Sequence, residues 1–325
     1  MNGDAIPSPG SELSDDLALA LELADLADRV ALERFRSADL AVSTKPDRTF
    51  VTESDLAVER AIRERLAEAR PDDGILGEEF GRKDRGSRQW IVDPIDGTSN
   101  FLRGVPVWGA LIALAIDGTP VVGVASMPTF GRRWWAARGH GAWTNAPEAA
   151  NTPDSSGATD QTEATDAGGG PADADAGVGG SPARRIRVSG VADLADASLS
   201  FQSIAQWREA GRLPALLALG EAVWRDRAYG DLWSYMLLAE GLVDIVGEFD
   251  VKEYDLAALV PIVEEAGGVF SSADGAPGHA HGSSLATNGL LHEQVLAIIA
   301  APAASGTAEA TGTAAASDHP AERNA

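Results

Sequence analysis

The stretch WIVDPIDGTSNF, Trp90 to Phe101, begins as a buried strand does, with Trp90, Ile91 and Val92 in an apolar run. It then sets down two carboxylates, Asp93 and Asp96, with Pro94 and Ile95 between them and Gly97-Thr98 after. Two carboxylates about 4 Å apart repel by roughly 4 kcal/mol at an effective dielectric near 20. Such a pair shares a proton or holds a cation. Pro94 fixes its own φ and biases Asp93 toward an extended backbone, so the turn is stiff. Gly97 permits a tight turn or a close approach of backbone to ligand. Asp96-Gly97 alone is an ordinary turn; the whole string at the end of an apolar strand points to a site.

On the N-terminal side, apolar positions Leu17, Leu21, Ala24, Ala31 and Phe35 recur at helical spacing, so a helix is expected from Ser14 to about Arg36, after a disordered leader over residues 1–11. STKPDRTFVT reads as a loop. TESDLAVERAIRERLAEA reads as a helix opened by a capping box of Thr52 and Asp55. GILGEEFG is a short strand running into the acidic pair Glu78-Glu79. On the C-terminal side, residues 107–128 read as two strands around an Asp-Gly turn, and RRWWAARGHGAWTN as a further strand pair.

From Asn145 to Ala183 there is no Lys or Arg, and Val178 is the only large aliphatic residue. Such a segment cannot bury enough apolar surface to offset its ordering entropy, so 145–183 is expected to be a disordered acidic insertion, as is the tail 302–325. Order returns at RRIRVSGVADL. ASLSFQSI reads as a strand, LPALLALGEAV as a helix, DLWSYMLLAEGLVDIVGE as helix then strand, YDLAALVPIVEEAGGVF as a helix from about Asp255 followed by a strand, and ATNGLLHEQVLAIIA as the last helix. Residues 12–144 thus form an α+β part carrying the acidic motif, and 184–301 an α/β part; layered sheets and helices of the α/β class are expected.

The chain has 325 residues and no cysteine, which excludes disulfides, thiolate metal sites and a cysteine nucleophile. Its net charge of −23 argues against a nucleic-acid partner held on a basic surface. No apolar run reaches the length of a membrane span, and the N-terminus lacks the pattern of an export signal, so a cytoplasmic protein without a membrane partner is expected.

Four acidic places lie at element edges: Glu78-Glu79, Asp93, Asp96 and Asp255. Each has a plainer reading. Glu78-Glu79 makes a solvated turn, Asp255 caps its helix, Asp55 completes a capping box, and Lys45 before its proline is a surface lysine. Taken together, GEE (77–79), DPIDGTSNF (93–101) and YDLAA (254–258) resemble the inositol monophosphatase family of metal-dependent phosphatases, over roughly Leu13 to Ile299. That resemblance implies a layered αβαβα sandwich and a homodimer acting on a small phosphomonoester. It implies metal ligation by Glu78, Asp93, Asp96, Asp255 and the carbonyl of Ile95, with Lys45, Asp55 and Glu79 close to a third ion or its waters. Thr98 with Glu78 would activate the attacking water, and the amides of Gly97, Thr98 and Ser99 would hold phosphate. All the donors are oxygens, so Mg²⁺, in two or three ions, or Mn²⁺ is expected.

WRDRAYGDLWSYMLLAEGLVDI (224–245), GVPVW (104–108) and RRWWAARGHGA (132–142) resemble the histidinol-phosphate phosphatase branch of that family. Asp231 stands where inositol-specific members typically carry a small residue. A carboxylate there either pairs with the ammonium of histidinol phosphate or N-caps the following helix. Glu248 matches a leaving-group contact, Arg227 and Tyr229 are weaker candidates for the pocket wall, and Trp108, Trp134 and Trp135 are expected in the core. Tyr254 replaces the family's usual tryptophan. An inositol 1-phosphate or other sugar-phosphate phosphatase is the alternative, a nucleotide 3′-phosphatase a third branch without a recognisable nucleotide-binding surface, and a catalytically dead scaffold or regulatory binding protein that keeps the fold a reading of a different class.

Overall fold

The computed structural model describes residues 9–38, 40–44, 50–145 and 183–301. Helices α1 (Pro9–Arg34) and α2 (Glu53–Ala69) pack on one another, and the short strands β1 (Val42–Thr44) and β2 (Phe50–Thr52) pair between them. The hairpin replaces part of the expected loop, and α1 starts inside the expected leader. Asp55 closes the capping box of α2: its Oδ2 accepts the Thr52 N–H at 2.8 Å, while the Asp55 N–H donates to Thr52 Oγ1.

Next come β3 (Gly74–Gly77), β4 (Gly81–Lys83), β5 (Arg88–Asp96), α3 (Thr98–Arg103), β6 (Gly109–Ile116), β7 (Thr119–Met127), β8 (Arg132–Ala137), β9 (Ala142–Thr144) and β10 (Arg184–Arg185). They build an eight-stranded sheet in the order β10-β9-β8-β7-β6-β5-β3-β4. Its pairs are antiparallel except β3 with β5. Because β9 pairs with β10, the chain leaves at Asn145 and returns at Ala183 side by side. Asn145 is itself part of the fold: buried, its side chain accepts the Arg133 N–H and donates to Gly131 O. The body of the expected insertion and the tail lie outside the described residues.

The second sheet uses β11 (Ser198–Phe201), β12 (Arg225–Arg227), β13 (Ile245–Phe249), β14 (Val269–Ser271) and β15 (Ser283–Thr287), in the order β12-β11-β13-β15-β14. Helices α4 (Ile204–Glu209) and α5 (Leu213–Ala222) follow β11; α6 (Asp231–Ala239), α7 (Glu253–Leu256), α8 (Leu259–Glu265) and α9 (His292–Ala300) complete the chain. The helix expected from Asp255 is two helices. Pro261 has no N–H to give the carbonyl four residues back, Ala257, and the break falls there.

Three apolar cores join five layers, the middle core enclosing the α6 and α8 layer on both faces. One lies between α1, α2 and the large sheet, with Trp90, Trp108 and Trp135 buried in it. A second lies between the large sheet, α6, α8 and the small sheet, around Trp134 and Tyr235. A third lies between the small sheet and α4, α5 and α9, around Trp207. This is an α/β sandwich of αβαβα type, and the three tryptophans expected in the core are in it.

Candidate active site

Parallel pairing of β3 with β5 brings the two acidic segments together. Gly77 sits opposite Val92, so Glu78 leaves β3 beside Asp93, and the Glu78 N–H donates to Val92 O. Asp93 and Asp96 are three residues apart, and strict alternation would face them oppositely. Against β6, however, Asp93 pairs with Leu111 and Asp96 with Gly109, three steps against two. That one-residue bulge returns both carboxylates to one cavity, of about 680 Å³, which Glu78, Ile95, Gly97, Thr98, Ser99, Asp231 and Asp255 also line.

Each carboxylate is fixed by a local bond. Asp93 Oδ1 accepts the Ile95 N–H at 3.0 Å. Asp255, in the first turn of α7, accepts the Lys252 N–H at 2.7 Å, so it caps its helix and still faces the cavity. Asp96 Oδ2 accepts the Leu232 N–H at 2.6 Å and thereby caps α6 from the other half of the molecule. Thr98 Oγ1 lies 3.0 Å from Ile95 O and 3.3 Å from Asp55 Oδ1, with its one proton directed to these acceptors. Phe101 anchors α3 in the core, edge-on to Trp108 with ring centroids 4.9 Å apart.

The site is electrostatically tense. Burial first, then the charges of Glu78, Asp96, Asp255 and Asp55, push Asp93 well above the carboxylate range. Burial and the charges of Asp231 and Asp255 do the same to Asp96. Burial raises Asp55 to about 6 and Asp255 to about 7. Carboxyls that hold protons more tightly folded than unfolded add stability at low pH, and lose it as pH climbs from the ordinary carboxylate range through these raised values. Protein stripped with EDTA is therefore expected to melt lower at pH 8 than at pH 5.5, and Mg²⁺ to raise the melting temperature more at pH 8. Calorimetry across that range checks both; an EDTA melting curve that rises with pH would refute the assignment.

The donor set fits a hard divalent cation. It is carboxylate and carbonyl oxygen throughout, with no histidine on the cavity wall, and the burial and mutual repulsion of its acids call for positive charge. Among the described residues, no three acids already form a closed coordinating group.

The structure sorts the remaining expected residues. Asp231 is on the cavity wall, but it is the first residue of α6, at φ 48°, and its side chain does not cap that helix. Instead Oδ2 accepts from Asn100 Nδ2 at 2.8 Å and Oδ1 from Gln202 Nε2 at 2.9 Å. Gly97 makes room for it: a Cβ there would sit 3.1 Å from Asp231 Oδ2, on a backbone at φ 83°. Tyr229 lines the cavity; Arg227 does not, being exposed on edge strand β12 with its guanidinium on the Asp226 carbonyl. Glu248 is buried on β13 and off the cavity wall, its Oε2 accepting from Tyr235 OH at 3.1 Å. Burial raises it to about 8. Glu79 is partly buried beside the cavity, its N–H on Glu59 Oε2 at 2.6 Å, and Lys45 lies outside the described residues.

Three contributors are absent from the sequence reading. Gln202 and Gln206 reach the cavity from the end of β11 and from α4, where ligands of parallel strands commonly bind. Glu59, on α2, is completely buried and accepts the N–H groups of both Glu79 and Phe80, so it holds the turn that carries Glu78. A Cβ on Gly77 would strike it at 2.0 Å.

The inositol monophosphatase family model matches residues 12–306. Histidinol-phosphatase of Mycobacterium tuberculosis is 50% identical over 283 residues, covering 87% of this chain and 96% of that protein. Histidinol-phosphatase of Streptomyces coelicolor is 46% identical with the same coverage. Among solved structures, an inositol monophosphatase from Zymomonas mobilis superposes with a TM-score of 0.69 at 29% identity, covering 90% of this chain and 99% of that one.

Proposed function

The chain belongs to the inositol monophosphatase family, and on that footing we propose that it is a metal-dependent histidinol-phosphate phosphatase, turning L-histidinol phosphate and water into L-histidinol and phosphate. The observation that carries this reading is the placement of Asp231, a carboxylate from the second half of the chain, on the same cavity wall as Glu78, Asp93, Asp96 and Asp255. One group of acids suits cations that bind phosphate; the other suits the substrate ammonium.

Glu78, Asp93, Asp96, Asp255 and the Ile95 carbonyl would hold two Mg²⁺ ions, with a third, or Mn²⁺, near Asp55, Glu79 and Lys45. Bound ions lower the pKa of water and stabilise the attacking and leaving oxygens of in-line displacement. The amides of Gly97, Thr98 and Ser99, at the open first turn of α3, receive the phosphate oxygens. Thr98 gives its own proton toward Ile95 O and Asp55, which leaves a lone pair of Oγ1 to orient the attacking water. Glu78 takes the proton of that water. Asp231, steadied by Asn100 and Gln202, pairs with the ammonium of the leaving group by a charge-assisted bond. The placement of Glu248 makes it a support behind Asp96 and Tyr235 in this reading. Among the described residues, no helix is long and apolar enough to cross a membrane; a cytoplasmic homodimer in histidine biosynthesis goes with the proposal, and light scattering tests the dimer.

Phosphate release from L-histidinol phosphate and myo-inositol 1-phosphate, side by side, with Mg²⁺ and with EDTA, tests the function. A strong Mg²⁺-dependent preference for histidinol phosphate is expected. Asp231→Asn keeps the size of the side chain and removes its charge. It should lower kcat/KM for histidinol phosphate about 10- to 100-fold, the worth of a hydrogen bond to a charged group, and leave p-nitrophenyl phosphate nearly unaffected. Preference for inositol phosphate, or equal losses on both substrates, would sink the role of Asp231.

A further inference from the structure

A second cavity, of about 350 Å³, opens near Gly74 and Trp90, at the opposite ends of β3 and β5 from the catalytic acids. On a chain of net charge −23 its lining is inverted: Arg63, Arg70, Lys83 and Arg85 against the single carboxylate of Asp73. Asp73 is already engaged by Arg88 and by Trp90 Nε1, and Arg70 by Asp16. Lys83 and Arg85 are exposed, and among the described residues neither forms an ion pair with a carboxylate; the nearby acids Asp84 and Glu253 are on Arg82. Arg85 instead reaches the Pro71 carbonyl on another part of the rim. The buried side chains of Leu66 and Ile75 make an apolar floor. The volume is that of a small-molecule pocket, and two cations without carboxylate partners over an apolar floor match an anionic head on an apolar body.

We propose that this cavity binds a small organic phosphate monoester of the nucleoside monophosphate class, its phosphate on Lys83 and Arg85 and its ring over Leu66 and Ile75. The site also touches the catalytic one through Arg63. This wall residue binds Glu59 Oε1 at 2.7 Å, and Glu59 holds the Glu79 and Phe80 amides. A bound phosphate that draws Arg63 away from Glu59 loosens that turn.

Titration calorimetry of the full chain in EDTA, with adenosine 5′-monophosphate as probe, tests the proposal apart from the phosphatase reading, since the metal-free catalytic cavity repels anions. Wild type is expected to bind, more weakly as salt rises. Lys83→Ala with Arg85→Ala, both exposed, should keep the wild-type melting temperature and weaken binding at least tenfold. No binding by wild type, or equal binding by the double variant, overturns the site. Equal affinity for inorganic phosphate overturns the organic class. Hydrogen exchange reads the coupling: the Glu79 and Phe80 amides should exchange faster with probe bound, and unchanged exchange overturns the link to the turn.

Discussion

Asp93→Asn is expected to abolish phosphate release, by at least about 10³-fold in kcat, and at the same time to stabilise the metal-free protein. The two effects share a cause. Asp93 is buried at the centre of the acids, and four neighbouring carboxylates raise its proton affinity. An amide of the same shape removes one charge from that repulsion and, under the proposed function, one anionic ligand of the metal. In EDTA at pH 8 the melting temperature should rise by ~2–4 °C, what about 1 kcal/mol gives a chain of this size. With Mg²⁺ the order should reverse, because wild type gains the ion and the variant gains less. Calorimetry with and without Mg²⁺, beside a phosphate-release assay, measures all of it. A variant that retains more than a tenth of wild-type turnover would remove Asp93 from the metal site.

Glu59→Ala is expected to lower both stability and activity, although Glu59 touches no substrate. Removing it leaves the Glu79 and Phe80 amides without their side-chain acceptor and the Arg63 guanidinium with the Gly81 carbonyl alone. Each hydrogen bond lost to that charged acceptor costs about 1.5–3 kcal/mol. Glu78, carried by that turn, then loses its placement, and in the role proposed for it a small misplacement costs on the order of 10²-fold. A purely structural role would leave the surviving folded enzyme with an unchanged Mg²⁺ requirement. A positioning role predicts a higher half-saturating Mg²⁺ concentration and a fall in kcat larger than any change in KM. Glu59→Gln, which keeps one acceptor oxygen, should recover part of both. An unchanged Mg²⁺ response in folded Glu59→Ala would reduce Glu59 to packing alone.

Much of the site was legible along the chain because its chemistry is local. In WIVDPIDGTSNF, the strand, the stiff proline, the turn and the short helix α3 follow one another within twelve residues, and each is specified by its own side chains. The capping box of Thr52 and Asp55 is equally local, and it formed as read. Apolar runs broken by an Asp-Gly turn and by a glycine-rich turn place β6 to β9, and the tryptophans expected in the core are buried there. The loop expected over residues 43–52 came out partly as a strand pair, because two three-residue strands are too short to show an alternation.

What could not be read in this way rests on contacts between distant residues. The one-residue bulge that puts Asp93 and Asp96 on one side depends on how β5 registers against β6. The left-handed backbone of Asp231 is held by Gln202, which accepts its N–H at 3.0 Å, and its side chain by one bond from Asn100 in the other half of the chain. Glu59 looks like any exposed helix acid until α2 lies against the Glu78–Glu79 turn. Glu248 is expected in the pocket only from the family resemblance, and packing around Tyr235 and Ser284 buries it instead. Local propensity and residue chemistry fix which groups are offered; register, layer packing and burial fix which of them meet, and those are properties of residues far apart in the chain.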